Sequence, residues 1–138
     1  DGMEIRVGRS IFTIPISNIR QSIKIARENV LHDAKGNELV KIMDEFYPII
    51  RLHEFYNIEP EVTNIEDGIL IWVEAGDHSY CMFVDELLGE RQIVVKPLPS
   101  YLNSFNIKDY GISGCTILGD GNISIILEVM NLYNAANV

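Results

Sequence analysis

Hydrophobic and polar positions alternate along this chain in short runs that are separated by turn residues. The first run, GMEIRV over residues 2–7, places an apolar side chain at every second position, and Gly8 follows it in a turn. A period of two predicts a β-strand with one buried face. Similar runs flank turns at Gly36, Gly76 and Gly121, and the last of these follows Asp120, which is a strong hairpin signal. The pattern therefore predicts an all-β protein built from four hairpins.

The runs between these hairpins predict shorter elements. Pro48 lies inside the apolar run 46–52, and a proline without an N–H group favours an edge strand or a strand end. We expect residues 19–25 to be extended, and short helices at 51–56 and 129–136. The remaining expectations are a loop at 57–67, a short helical turn at 99–105, and a loop or broken strand at 107–114.

The longest β-branched segment, Val84 to Leu98, reads VDELLGERQIVVKPL. The alternation slips at Gly89, which predicts a β-bulge, the usual reason for a glycine inside a strand. Pro97 and Pro99 then end the ladder, because proline cannot donate a backbone hydrogen bond. We expect this segment to lie in the middle of a barrel wall.

Composition narrows the class of protein. With 138 residues, 47% of them hydrophobic, the chain predicts one domain with its own core. A net charge of -9 argues against nucleic acid or an anionic membrane as a partner. No apolar run is long enough to insert into a bilayer. Cys81 and Cys115 lie in apolar runs and are expected to be reduced core residues, although the sequence leaves a disulfide open.

Catalytic and ligand-binding motifs are not evident. His32, His53 and His78 share no metal-ligand spacing, and Gly119 to Gly121 lacks the context of a phosphate-binding loop. Neither cysteine has a basic neighbour that would activate it. We therefore expect no catalytic residue, no metal ligand and no cofactor, while a small barrel enzyme or ligand carrier stays open as a competing hypothesis.

Four segments together resemble one known family. They are the segment VDELLGERQIVVKPL, the start DGMEIRVG, FYPIIRLHEF at 46–55 and GISGCTILGDGNISIILEV at 111–129. In these segments the chain resembles the C-terminal, CheW-like regulatory domain of the chemotaxis histidine kinase CheA. The chain departs from the family pattern at Asp44, where glycine is frequent, at Cys115 and Thr116, and at Glu128, where aspartate is usual.

The resemblance implies two small five-stranded Src-homology-3-like barrels around one shared core, with short helical turns and a short C-terminal helix. We expect approximate subdomains at 9–66 and 67–128, with the N-terminal strand and the C-terminal helix packing back on the first. It also implies a non-catalytic domain that binds the adaptor CheW, chemoreceptor tips and the rest of the CheA kinase. Its expected location is the cytoplasm, at receptor arrays beside the inner face of the membrane.

A free-standing CheW adaptor is the alternative within the family. The form of VDELLGERQIVVKPL favours the kinase, and so does the start at Asp1 in place of methionine, which we interpret as a piece cut from a longer protein.

Candidate partner-binding residues follow from strand alternation. If Ile123, Ile125 and Leu127 face the core, Ser124 and Ile126 lie outside, and Ile126 becomes an exposed apolar residue. By the same alternation Met43 lies opposite Val40 and Ile42, close to two aromatic residues. We therefore expect Met43, Phe46, Tyr47 and Ile126 to contact a partner, against the alternative that a neighbouring loop or the C-terminal helix covers them.

Overall fold

A computed structural model describes residues 1–96 and 110–136 of the chain. Within them the chain forms β-strands, two short α-helices and two 3-10 turns, at 16–18 and 27–29. The strands are β1 (Gly2–Val7), β2 (Ser10–Pro15), β3 (Ile19–Ile23), β4 (Val30–His32), β5 (Glu38–Ile42), β6 (Glu45–Arg51), β7 (Ile69–Ala75), β8 (His78–Val84), β9 (Glu86–Arg91), β10 (Ile112–Ile117) and β11 (Ile123–Leu127); the helices are α1 (Leu52–Phe55) and α2 (Val129–Ala136).

The first sheet joins the two ends of the chain. Its strands run in the order β10-β11-β2-β1-β9, and β11 pairs with β2 in parallel while the other neighbours are antiparallel. After β9, Lys96 reaches the opposite edge of the sheet, where its N–H and C=O groups bond to those of Cys115 at 2.8 and 3.0 Å. This bridge closes the five strands into a barrel, which we call the first barrel.

The second sheet is made from the middle of the chain, in the order β3-β7-β8-β6-β5-β4. Its one parallel pair is β6 with β8, through Ile49 to Arg51. The mostly-β architecture with two sheets and few short helices confirms the expected fold class. The second sheet carries six strands in place of the expected five, because the three-residue strand β4 adds to its edge.

The β7–β8 hairpin belongs to both hydrophobic cores. Ile71 and Val73 point into a core shared with the first sheet and α2, whereas Leu70 and Trp72, on the other face of β7, pack into a core within the second sheet. On β8 the same division places Tyr80, Met82 and Val84 in the shared core and Cys81 and Phe83 in the other. Alternate side chains of this hairpin therefore contribute to different cores.

All four predicted hairpins are present, as β1–β2, β4–β5, β7–β8 and β10–β11. The predicted helices at 51–56 and 129–136 appear as α1 and α2. Residues 110–114 enter β10 through a turn, and the expectations for 99–105 lie outside the described residues.

The segment from Val84 onward combines a confirmed expectation with a correction. The pairing of β1 with β9 skips one residue between Leu87 and Gly89, so the predicted β-bulge is present. The expectation that this segment lies in the middle of a barrel wall is wrong, because β9 has a single strand neighbour, β1, in the first sheet. The residues after β9 leave the sheet and reach β10 only at Lys96. Pro97 and Pro99 lie outside the described residues.

Pro48 does not mark an edge strand. It lies in the middle of β6, which runs between β5 and β8. Pro48 pairs with Leu39 of β5, whereas the pairing with β8 begins one residue later, at Ile49. A proline fits here because the side of β6 that faces β8 requires no ladder bond before Ile49.

The division of the chain between the two sheets differs from a simple split at residue 66. The second sheet takes strands from Ile19 to Val84, and the first sheet takes the strands before and after them. The expected subdomains 9–66 and 67–128 remain a prediction about boundaries. In the sequence, the strands of the second sheet lie between the two groups of strands that form the first sheet. Parallel pairing of β11 with β2 joins those two groups.

Asp85 fixes the corner where the two sheets meet. Its carboxylate, which is buried, accepts hydrogen bonds from the N–H groups of Gly8 and Glu61 through Oδ2, at 2.7 and 3.0 Å. Its own N–H group donates to the carbonyl of Arg6 at 3.0 Å. One side chain therefore ties the β1–β2 turn, the loop after α1 and the junction of β8 with β9.

We predict that Asp85→Ala lowers the free energy of unfolding by about 2–4 kcal/mol, because the buried N–H group of Gly8 and the partly buried N–H group of Glu61 lose a charged acceptor. Asp85→Asn keeps an acceptor oxygen and should cost roughly half as much. Urea unfolding followed by circular dichroism measures both. The control is Glu90→Ala, at an exposed position of β9. A change of less than 0.5 kcal/mol in Asp85→Ala, about the size of an ordinary surface substitution, would contradict this role.

Candidate partner-binding surface

The β5–β6 hairpin presents the predicted partner residues on a two-residue turn. Ile42 pairs with Glu45, so that Met43 and Asp44 form the turn, with φ angles of 50° and 70°. Positive φ at both central positions is the type I′ geometry that matches the twist of a hairpin. This turn holds the side chain of Met43 outward, where 81% of its surface is exposed.

Register places further apolar side chains beside Met43. Phe46 is opposite Lys41 across the hairpin, and Leu39 pairs with Leu31 on one side and with Pro48 on the other. Leu31 and Phe46 are 46% and 49% exposed. We call the outward residues the hairpin surface: Leu31, Leu39, Met43, Phe46 and Pro48. Leu31 was missed in the sequence, although its pairing with Leu39 in the predicted hairpin was the signal that would have placed it there.

Tyr47 lies on the opposite face of β6. Its ring packs against Trp72 in the second core, with centroids 5.1 Å apart, and its hydroxyl donates to Glu45 at 2.8 Å. The carboxylate of Glu45 raises the pKa of Tyr47 through this hydrogen bond. The hairpin thus brings Met43 and Phe46 together on its outer side, while Tyr47 supports them from the core.

The expectation that Ile126 is exposed is wrong. Ile126 is 3% exposed and Ser124 is fully buried, whereas Ile123, which was expected to face the core, is 59% exposed. The alternation argument assumed one buried face, but both faces of β11 are covered. Leu127 packs into the shared core, and on the other face Ser124 bonds to Thr13 of β2, with 2.6 Å between the two hydroxyl oxygens.

An ion pair connects β5 and β6, two of the strands that carry the hairpin surface. Arg51, at the end of β6, donates to both carboxylate oxygens of Glu38 on β5, at 2.6 and 3.0 Å, and to the carbonyl of Thr63 at 2.6 Å. Both charged side chains are less than 20% exposed. The Arg51 hydrogen bond lowers the pKa of Glu38 below its usual range. The pair fixes β5 against β6 where the hairpin leaves the core.

The remaining chemistry-bearing residues are placed separately. His53 lies edge-on to Phe83, and His78 stacks on Tyr133 of α2, with centroids 4.3 Å apart. Both cysteines are free thiols, and burial raises the pKa of Cys81 to about 12. Across residues 1–96 and 110–136, no three histidine, cysteine or acidic side chains gather as a metal site would need, and no helix is long and apolar enough to cross a membrane.

Comparison with known proteins identifies the family. The model of the CheW-like domain matches residues 1–137. The chain belongs to the CheW-like domain family. This confirms the family resemblance of the four segments in the sequence.

Two curated relatives are described as chemotaxis protein CheA. That of Salmonella typhimurium is 34% identical over 133 residues, which are 96% of this chain and 19% of the relative. That of Klebsiella aerogenes is 30% identical over 132 residues, 96% of this chain and 20% of the relative. The chain thus spans about a fifth of the length of these relatives.

The fold of the CheW-like domain also appears in a solved structure. The crystal structure of the scaffolding protein TtCheW from Thermoanaerobacter tengcongensis superposes with a TM-score of 0.69 and covers 91% of this chain and 86% of that chain. With 14% sequence identity, this likeness supports the fold.

We predict that Asp44→Gly stabilises this CheW-like domain by about 0.5–1 kcal/mol, because glycine adopts positive φ without the steric cost that an L side chain has. The matched control is Asp77→Gly in the β7–β8 turn. Asp77 is not at positive φ, so added glycine there should destabilise by a similar amount. Thermal unfolding of both variants is the measurement. Equal signs for the two substitutions would contradict strain at Asp44.

We predict that Glu38→Gln lowers the free energy of unfolding by about 1–3 kcal/mol at pH 7. Since the folded pKa of Glu38 is depressed, its contribution is present above the unfolded pKa of about 4.3 and is lost as pH falls through the folded value. The difference in free energy of unfolding between Glu38→Gln and the unaltered chain should therefore shrink below about pH 4.

Urea unfolding at a series of pH values tests this pH dependence. The control is Glu66→Gln, whose pair with Arg27 is exposed and screened by solvent, and which should change stability by less than about 0.5 kcal/mol. A Glu38→Gln cost that stays constant from pH 7 to pH 3 would show that the ion pair does not account for it.

Proposed function

We propose that this chain is the regulatory, receptor-coupling domain of a CheA-type chemotaxis histidine kinase. It binds the adaptor CheW and chemoreceptor tips, and it carries no kinase chemistry of its own. The observation that carries the proposal is the match of 96% of this chain to about a fifth of curated CheA proteins at 30–34% identity. Such a domain acts in the cytoplasm, beside the inner face of the membrane.

A free-standing CheW adaptor is the second candidate. It is favoured by the fold match, which covers 86% of the TtCheW chain. The CheA assignment has the stronger support because the sequence identity is 34% to a CheA and 14% to TtCheW. The two candidates differ in what else the natural polypeptide contains. Sequencing the coding region upstream of Asp1 discriminates them, since a CheA requires an ATP-binding kinase domain there.

The hairpin surface is the proposed contact with CheW. It contains apolar side chains on three adjacent strands, and Lys41 is the charged residue between them. Exposed apolar groups that lie together on a surface favour a protein partner, because burying them releases water. An interface of this kind should depend weakly on salt and draw most of its affinity from a few central residues.

We predict that Met43→Glu or Phe46→Glu weakens binding to purified CheW by at least ~30-fold, equivalent to about 2 kcal/mol, since a carboxylate would be buried in an apolar contact. Isothermal titration calorimetry measures the affinity. Fluorescence of Trp72, the single tryptophan, checks that the second core is intact in each variant.

The matched control is Ile123→Glu, an apolar residue of comparable exposure on the first barrel. If Ile123→Glu abolishes binding and both hairpin variants bind normally, the contact lies on the first barrel and the hairpin proposal is wrong. If the unaltered chain itself fails to bind CheW, the coupling function is wrong. Ile126→Glu is unsuitable for this purpose, because its buried position makes it a test of folding.

A further inference from the structure

Residues 57–67, which connect α1 with β7, lie outside both sheets, and we call them the connecting loop. None of them belongs to a helix or a strand, so no backbone ladder fixes them. Their apolar side chains go to different cores: Ile58 packs against the core shared by both sheets, whereas Val62 and Ile65 pack with the core within the second sheet. The connecting loop therefore passes from one core to the other.

An arginine attaches the connecting loop to the second sheet. Arg51 donates through Nη1 to the carbonyl of Thr63 at 2.6 Å, and through Nε and Nη2 to the carboxylate of Glu38. On β5, Glu38 directly precedes Leu39, which belongs to the hairpin surface. One guanidinium therefore joins the base of the hairpin surface to the connecting loop, and its rigid fork fixes the direction of both bonds.

The first sheet holds the connecting loop two residues earlier. The N–H group of Glu61 donates to Oδ2 of Asp85 at 3.0 Å, and the same oxygen accepts from the N–H group of Gly8. The carboxylate of Glu61 pairs with Arg6 of β1 at 3.0 Å. Gly8 has positive φ, and a Cβ atom added there would clash with the carbonyl of Glu59. The β1–β2 turn and the connecting loop therefore fit closely together.

These attachments are few and separate, unlike the bonds of a ladder. A segment with few backbone bonds to its surroundings opens locally at a lower cost than a strand inside a sheet. The carbonyl of Thr63 and the N–H group of Glu61 are only two residues apart in the sequence. Release of either group therefore loosens the backbone that carries the other.

We propose that the connecting loop couples the hairpin surface to β1. A partner on the hairpin surface holds β5 against β6, which keeps Arg51 bonded to Thr63, and the docked loop preserves the hydrogen bonds of Gly8 and Glu61. The identity of the partner rests on the proposed function, in which β1 is the strand that follows the kinase domain. The coupling itself does not. If the loop were only a spacer, its two attachments would open independently.

Amide hydrogen exchange by NMR of the isotope-labelled chain measures local opening at each attachment. Arg51→Lys keeps a positive charge beside Glu38 but loses the fork that reaches Thr63. We expect the N–H groups of Gly8 and Glu61 to exchange at least ~tenfold faster in this variant.

The matched control is Arg20→Lys. The ion pair of Arg20 with Glu74 joins strands of the same sheet and does not involve the connecting loop. This control should leave the exchange of Gly8 unchanged. The N–H group of Cys115, at the other edge of the first sheet, reports opening of the whole barrel. Unchanged exchange at Gly8 in folded Arg51→Lys, or an equal rise at Cys115, would overturn the proposal.

A second pair of variants tests the reverse direction and covers the case in which Arg51→Lys does not fold. Gly8→Ala introduces the clash with Glu59 and should speed exchange of the Nε–H group of Arg51, because coupling between two sites is reciprocal. Gly76→Ala imposes nearly the same φ, 60° against 59°, but meets the flexible end of Met130. Equal responses of the Arg51 signal to both alanines would contradict the coupling.

The partner is tested last, with CheW at saturation and binding verified by calorimetry. Bound CheW should slow exchange at Gly8 at least ~fivefold in the unaltered chain, and not in Arg51→Lys. Bound CheW with no change at Gly8 would overturn the proposal. Failure of CheW to bind would show that the coupling function is wrong, and the comparisons made without a partner then decide whether the loop couples the two sheets.

Discussion

Burial of the β7–β8 hairpin on both of its faces is the constraint on which the rest of the structure depends. An ordinary antiparallel hairpin covers one face and leaves the other in water. Here Ile71, Val73, Tyr80 and Met82 pack toward the first sheet and α2, while the alternate side chains pack within the second sheet. Both cores contain side chains of this hairpin. A substitution at Ile71 or Val73 perturbs the core shared by both sheets, whereas one at Leu70 or Trp72 perturbs the core within the second sheet.

The order of the strands along the chain fits this arrangement, because the second sheet comes from a segment that lies between the two parts of the first sheet. The second sheet is completed between Ile19 and Val84, and the first sheet is then assembled from the chain on either side. Parallel pairing of β11 with β2, and the bridge from Lys96 to Cys115, bring these distant segments together. Asp85 stands where the chain passes from the second sheet to the first, and it binds backbone N–H groups on both sides of that passage. The polar start of VDELLGE thus has a structural function at the junction.

The hairpin surface depends on backbone geometry as well as on apolar side chains. It is presented on a turn whose Met43 and Asp44 both have positive φ, and it offers apolar area to a protein partner.

The sequence by itself determined the local elements and the family. Period-two alternation with glycine turns was sufficient to predict four hairpins, and the slip at Gly89 was sufficient to predict the bulge, because turns and strand faces depend on a few neighbouring residues. The motifs around Gly89 indicated the CheW-like domain. Only the tertiary structure decided that Ile126 is buried and that Pro48 lies in an internal strand. Each of these depends on which strand lies alongside and on whether the second face of a sheet is covered. Alternation specifies two faces, but the packing of distant segments decides how many of them meet water.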